Sequence, residues 1–465
     1  MWLSNKNDLF VKMPIPQQLP YILSTSDLYL TPVYIILLFF VVKKIKNKYY
    51  SDSPLQVFIM PAFFIHIIGS IFLALVYQYY YGYGDMYGYF TGVRETWEAF
   101  IKNPKLAFEL LFVNRENFSQ LALDSAPYSS YTGFAEASSA LIKIAGFIGL
   151  FCLGSYLPIA IVFGLLSLWG TWLIYITINK HYPHLYKYTA IACLFIPSVI
   201  IWSSGINKEP PCMFALGLCF YSFDKILHKK GIVRHAIYFI IGAITLLAIK
   251  NYIFYTFAVA AFAWGFRSFI VNIKSYLVRF IVRSIVFLCV LGFLIFFFST
   301  DNALKQNFIK GVTMGENLQQ LMTSVNEAEG GSGYKLPSLN MSVGGFIKSF
   351  FLSLNVTLFR PYLWECTNPL MLMSFLESFG TFLLVLMVLF KAGIRKIIRY
   401  CNEYPVLFFM VAFTFLLGPI VGFISFNFGT LVRYKIPFLP FFISFLVIIL
   451  FDKKNDMSKS AKSLI

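Results

Sequence analysis

Long apolar runs follow one another along this chain, and they constrain its fold more than any other feature. Hydrophobic residues make up 58% of the 465 residues, whereas charged residues make up only 13%. Soluble domains typically contain about 25% charged residues. A soluble chain of this size has too little interior for so many apolar side chains, so the bilayer must serve as their solvent. Because hydrocarbon offers the backbone no hydrogen bonds, and the runs lack strand-like alternation, the sequence predicts an all-α polytopic membrane protein.

The apolar runs predict about eleven transmembrane helices in a single transmembrane domain that covers residues 1–465. Several runs are shorter than the ~20 residues that a full crossing needs, so their ends are approximate. Residues 138–152 are also apolar but contain Lys143, and we interpret them as an interfacial or re-entrant helix. The predicted spans are 31–43, 55–79, 155–178, 187–203, 211–227, 235–250, 252–266, 280–299, 369–391, 404–424 and 435–451.

Clusters of Lys and Arg between the spans predict the orientation of the chain. Most of the basic residues fall on one side, which the positive-inside rule identifies as cytoplasmic. These clusters begin at Lys43, Lys225, Arg267, Lys391 and Lys453. The net charge of +17 is therefore explained by topology, and we expect no nucleic-acid partner. The other side carries two long loops, 80–154 and 300–368, which are too long to be plain connections and are predicted to be functional.

The first of these loops contains an amphipathic pattern. Within residues 91–112, apolar side chains such as Trp97, Phe100 and Phe108 recur on one helical face. This pattern predicts an interfacial helix that lies in the headgroup plane. The second loop contains a Gly-rich flexible stretch at 327–335.

Two polar clusters mark predicted helix mouths in the first half of the chain. At 83–87 (YGDMY), Asp85 is a candidate general base, or else an ordinary helix-capping residue. At 202–210 (WSSGINKEP), Lys208 and Glu209 stand where a helix N-terminus could bind an anion. The alternative for this second cluster is interfacial anchoring by Trp202 and Lys208.

Two further clusters lie in the second half, also on the predicted external side. At 358–365 (LFRPYLWE), Arg360 could hold a phosphate group or simply extend its charge to the interface. At 427–437 (NFGTLVRYKIP), Arg433 and Lys435 could bind a lipid phosphate, or form a structural salt bridge or headgroup contact.

Cofactor and metal motifs give no positive indication. The five histidines do not form a ligand set, and no phosphate-binding loop or dinucleotide fingerprint is present. The seven cysteines are spread singly, without the paired spacing of a disulfide framework or zinc site. We expect no cofactor, and a divalent metal has no support in the sequence.

Taken together, the clusters resemble the GT-C superfamily of multi-spanning glycosyltransferases, which use polyprenyl-phosphate-linked sugar donors. The resemblance rests on an aspartate in the first external loop followed by an amphipathic segment. It also rests on WSSGINKEP preceded by Pro197, and on FRPYLWE and GTLVRYKIPFLP, which are similar to late segments of uncharacterised bacterial members. Many members carry paired acidic residues in the first loop. Asp85 has no acidic neighbour here, and Asp124 is the candidate second carboxylate.

The resemblance implies that an acceptor hydroxyl attacks the anomeric carbon of the sugar while the lipid phosphate leaves. Asp85 would remove the hydroxyl proton, and Lys208, Arg433 and Arg360 would neutralise charge on the phosphate. The implied partners are a lipid-linked sugar donor, membrane lipids and an acceptor glycan, lipid or protein. The implied location is the bacterial inner membrane, with the active site on its non-cytoplasmic face.

Other classes of membrane protein share these features. A polysaccharide polymerase, a ligase or a lipid-linked sugar flippase would also have long external loops and basic pockets, but would not need a carboxylate base. A transporter or a non-catalytic membrane subunit is a further alternative. Ionisable residues within spans normally mark ion paths, and here they are scarce, with His66, Asp224 and Glu377 the clearest.

Overall fold

Helices make up almost all regular structure in the protein. The computed structural model describes residues 21–127, 136–271, 273, 275, 277, 343–425 and 427–452, and no β-strand is found among them. The helices of the N-terminal half are α1 (Thr25–Tyr49), α2 (Gln56–Leu75), α3 (Asp85–Lys102), α4 (Pro104–Phe112), α5 (Gln120–Ser125), α6 (Glu136–Phe151), α7 (Tyr156–His181), α8 (Tyr186–Leu194), α9 (Pro197–Trp202) and α10 (Glu209–Leu227). Those that follow are α11 (Ile232–Val271), α12 (Val343–Phe359), α13 (Pro369–Met387), α14 (Gly393–Glu403), α15 (Pro405–Ile424), α16 (Phe428–Lys435) and α17 (Leu439–Phe451). The all-α prediction is confirmed.

Six helical segments in the described part of the chain are long and apolar enough to cross a membrane, or seven if the pair α16 and α17, bent by 64°, forms one span. The six are Thr25–Tyr49, Gln56–Tyr81, Tyr156–His181, Ile232–Ile270, Pro369–Glu403 and Pro405–Ile424. The membrane character of the chain is thus confirmed, whereas the number eleven is not. The predicted span 187–203 is divided into α8 and α9. The predicted span 280–299 and residues 300–342 of the second loop lie outside the described residues.

The first long loop is a folded layer of helices. We predicted one amphipathic helix over 91–112, but the structure divides this segment at Asn103 into α3 and α4. The side chain of Asn103 accepts a hydrogen bond from Lys105 N at 3.1 Å, and Pro104 takes the first helical position, where its missing N–H does no harm. Behind these helices lies a small apolar core formed by Ala99, Leu106, Leu110, Ala122 and Ala126.

Contacts along the chain group it into two compact units. The first consists of the described residues within Met1–Trp169, Ser203–Phe214 and Ile244–Lys250. The second consists of those within Gly170–Trp202, Ala215–Ala243 and Asn251–Ile465.

Each unit has an apolar core of its own. In the first, Phe63, Ile67 and Ile161 are buried against one another. The second is built around aromatic rings whose centroids lie 4.9–6.3 Å apart in edge, tilted and stacked pairs. These rings belong to Phe220, Phe257, Trp264, Phe409, Phe413 and Phe441.

In the second unit, polar contacts join several helix ends. Lys180 and His181, both predicted to be cytoplasmic, lie 2.6 and 2.9 Å from the carboxylate of Asp224. Arg267 donates to Asn402 Oδ1 at 2.7 Å, and both residues also fall on the predicted cytoplasmic side. The assignment of this group to one face of the membrane rests on the positive-inside rule.

Two partly exposed native cysteines test that assignment. Cys366 follows the predicted external cluster 358–365, and Cys401 lies in the predicted cytoplasmic segment. A membrane-impermeant maleimide should label Cys366 on intact cells, and Cys401 only after permeabilisation. Burial, together with the charge of Glu365, raises the pKa of the Cys366 thiol. Labelling of Cys366 should therefore accelerate as pH rises, because the thiolate is the reactive form.

The matched controls are Cys366→Ser and Cys401→Ser, each in a background with Cys289→Ser. The other four described cysteines are buried and should react slowly in all variants. Labelling of Cys401 from outside, with Cys366 protected, would reverse the predicted topology.

Candidate functional site

The first predicted cluster forms a sharp turn that presents Asp85. The turn follows α2 and requires glycine, because Gly82 has φ +69° and Gly84 has φ +123°, a region that L-residues rarely enter. Asp85 is the first residue of α3, and its side chain is exposed. Negative charge is favourable at a helix N-terminus. The carboxylate is therefore exposed at a position where the helix N-terminus stabilises its negative charge.

The second cluster packs directly onto this turn. Gly205, in the 203–208 loop, has φ +74°, and a Cβ at this position would lie 2.3 Å from Met86 Cε. The same Cβ would lie 3.3 Å from the hydroxyl of Tyr156, which in turn donates to Met86 Sδ at 3.3 Å. Met86 follows Asp85 in the chain. The first and second clusters thus meet within the first unit, although Asp85 and Lys208 are 123 positions apart in the sequence (208 − 85).

Lys208 extends from this loop onto α3. Its Nζ lies 5.8 Å from the centroid of the Tyr89 ring. Tyr89 is four residues after Asp85, so the two side chains occupy the same face of the helix. The Lys208 ammonium therefore lies over a residue that is one helical turn from Asp85. Lys208 is half-buried, whereas Tyr89 is buried.

Glu209, the third predicted residue in this region, has a different environment. Its Oε1 accepts from Lys250 Nζ at 2.8 Å, and the two side chains are only 1% and 6% exposed. Glu209 is thus committed to a buried ion pair, and the prediction that it binds substrate finds no support in this geometry. Lys250 was not among the predicted site residues. The sequence feature that could have indicated it is its position between two apolar runs, which it interrupts.

The predicted cations of the second unit are also engaged. Arg360 forms an ion pair with Glu365 through two hydrogen bonds, and its guanidinium lies 5.2 Å from the Phe428 ring centroid. The side chain of Lys435 is 1% exposed and donates to Ser378 Oγ at 2.9 Å. Both charges are therefore already used inside the protein, which argues against the predicted phosphate-binding roles.

A buried carboxylate completes this cluster. Glu377 Oε1 lies 3.9 Å from the Lys435 ammonium, and the carboxylate accepts from the backbone N and Oγ of Ser198 at 2.8 and 2.7 Å. Burial of Lys435 is thus compensated by a carboxylate, a structural salt bridge of the kind that the sequence left open.

The remaining predicted residues are Arg433, Trp202 and Asp124. Arg433 is buried on α16, and Trp202 is buried at the end of α9, both in the second unit. Asp124 is exposed on α5 and accepts from Gln120 Nε2 at 3.0 Å, within its own helix. Of the predicted residues, Asp85 and Lys208 are the pair whose placement supports a shared role.

No set of three His, Cys, Asp or Glu side chains in the described part of the chain could hold a metal ion. Comparison of the chain with protein-family models, curated proteins and solved structures finds no match. The geometry of Asp85 and Lys208 is therefore the basis of the function proposed below.

The left-handed conformation of Gly205 in the 203–208 loop can be tested with Gly205→Ala. A left-handed conformation costs an L-residue about 1–2 kcal/mol, so we expect the free energy of unfolding to fall by about that amount. The flexible Met86 side chain can move aside, so the strain is mainly in the backbone. Unfolding in mixed micelles titrated with sodium dodecyl sulfate measures the change.

Gly380→Ala is the matched control. Gly380 lies within α13, and a Cβ there would have no neighbour within 4 Å. Alanine is favoured over glycine in a helix by about 1 kcal/mol, so this variant should be neutral or more stable. Equal effects of the two substitutions would contradict the assigned loop geometry.

Proposed function

We propose that this protein is a membrane glycosyltransferase that moves a sugar from a polyprenyl-phosphate-linked donor to an acceptor hydroxyl. The observation that carries the proposal is the exposed Asp85 carboxylate on the same face of α3 as Tyr89, over whose ring the Lys208 ammonium lies. A hydroxyl is a weak nucleophile and a phosphate is a charged leaving group. Replacement of the phosphate by the hydroxyl oxygen at the anomeric carbon needs a base and a cation close together.

In the proposed reaction the Asp85 carboxylate takes the proton of the acceptor hydroxyl. The acceptor oxygen forms a bond to the anomeric carbon as the bond from that carbon to the phosphate oxygen breaks. The electron pair of that bond leaves with the lipid phosphate, whose negative charge grows. Lys208 neutralises this charge, and the Tyr89 ring beneath it restricts the ammonium through a cation–π contact.

The proposed site is confined to the first unit. Glu209, Arg360 and Lys435 are left out because each is neutralised by a partner within the protein. The positive-inside pattern supports placing the reaction on the non-cytoplasmic face of a bacterial inner membrane.

Asp85→Asn tests the base. The substitution keeps the size of the side chain and removes its basicity, so transfer should fall by about 10²–10⁴-fold while donor binding is retained. Transfer is measured in proteoliposomes with radiolabelled undecaprenyl-phosphate hexoses, and donor binding by equilibrium titration.

Asp124→Asn is the matched control. Asp124 is also an exposed carboxylate of the predicted first loop, and it accepts a hydrogen bond from Gln120 within its own helix. This variant should retain the rate of the wild-type protein. Near-normal transfer by Asp85→Asn would eliminate Asp85 as the base. A wild-type protein that binds the donor but transfers no sugar would favour a flippase, which moves the same lipid without proton abstraction.

Lys208→Ala tests the cation. Hydrogen bonds to charged groups contribute about 1.5–3 kcal/mol, so donor affinity should fall by ~10–100-fold. Lys208→Arg keeps the charge and should preserve most of the affinity. Undiminished binding by Lys208→Ala would show that the donor phosphate is held elsewhere.

A further inference from the structure

The long helix α11 breaks at a buried lysine. Its 40 residues run from Ile232 to Val271, and only Lys250 has non-helical dihedral angles, with φ −144° and ψ 77°. Such a break releases backbone groups from the helical hydrogen-bond ladder, which is unfavourable in hydrocarbon unless other groups satisfy them. The side chain of Lys250 turns to Glu209 and donates to its Oε1 at 2.8 Å.

This ion pair is a poor source of stability. Both side chains are buried, and the loss of hydration on burial can exceed the attraction between the charges. Buried pairs are best attested as devices that fix one arrangement of the chain. Here the arrangement fixed is that of α10, because Glu209 is its first residue and Lys208 is attached directly before it.

The 203–208 loop is thereby held at two points. Gly205, within the loop, packs against Met86 of α3, and Glu209, directly after the loop, is bonded to Lys250. Lys208 lies between these two anchors, next to the second. Consecutive Cα atoms are only about 3.8 Å apart, so a displacement of Glu209 must move Lys208 with it.

We propose that Lys250 is a positioning residue, which acts through Glu209 to hold the Lys208 ammonium over Tyr89. The inference rests on the proposed function for the role of Lys208 in phosphate binding. The placement of Lys208 itself does not depend on that role and can be measured separately.

A double substitution separates positioning from mere support of the fold. Lys250→Met or Glu209→Gln alone leaves one buried charge without its partner, so both single variants should lose thermal stability. Lys250→Met with Glu209→Gln removes both charges at similar volume and should regain it. Positioning predicts that the recovered protein still binds farnesyl phosphate about tenfold more weakly and has a KM about tenfold higher, with a smaller change in kcat.

The position of Lys208 is read by NMR of ¹³C-dimethylated lysines, a modification that keeps the positive charge. The Lys208 resonance is identified by its absence in Lys208→Arg. In the wild-type protein it should carry a ring-current shift from Tyr89, which Tyr89→Leu removes. In the double variant it should move to the position found in Tyr89→Leu. Lys250→Arg keeps the ion pair and should leave the resonance and the binding unchanged.

A double variant that recovers stability, binding and the wild-type resonance together would overturn the inference, since the pair would then only support the fold. A double variant that stays unstable would also overturn it, because the two residues would then be needed for the fold itself and not only for the position of Lys208. A wild-type protein without transfer activity, but with a Lys208 resonance that moves in the double variant, would refute the proposed function and leave the positioning role standing.

Discussion

Buried carboxylates must find donors inside the protein, and this constraint ties the helices together. Asp27, on α1, is 2% exposed, and its Oδ1 accepts from Ser155 Oγ at 2.6 Å and from Leu157 N at 2.7 Å. It thereby satisfies the backbone N–H of Leu157, at the start of α7, which has no partner within that helix. Glu377 serves the start of α9 in the same way through Ser198. The lack of water that forces the backbone into helices also makes one helix cap another.

The same requirement fixes the ends of the helices. In the second unit, Asp224 joins the last turn of α7 to α10 through Lys180 and His181, and Asp452 lies 3.1 Å from His184. In the first unit, the Glu209–Lys250 pair joins the start of α10 to the break in α11. Charge pairing thus holds helix ends, from which the polar loops begin, and a loop held at its ends can place a side chain accurately.

Several features could be predicted from sequence because their causes are local. Hydrophobicity over a run of residues predicts helices in lipid, and Gly or Pro beside a run marks the turn where Asp85 or Lys208 stands. The division at Asn103 could also have been predicted, because Asn followed by Pro is typical of a helix start. The amphipathic periodicity on both sides of Asn103 favoured one continuous helix instead. The partners of the buried lysines could not be predicted. Lys250 meets Glu209 across 41 positions, and Lys435 meets Ser378 across 57, so their partners depend on packing.

The pairing constraint also separates a chemical carboxylate from a structural one. Glu209, Glu365 and Glu377 each lie against a cation within the protein, so their carboxylates serve the structure. Asp85 and Asp124, by contrast, are exposed. For Asp85 a cation lies one helical turn further along α3, because the Lys208 ammonium lies over the Tyr89 ring. Exposure decides which carboxylates can react, and a nearby cation decides which of them can serve phosphate chemistry.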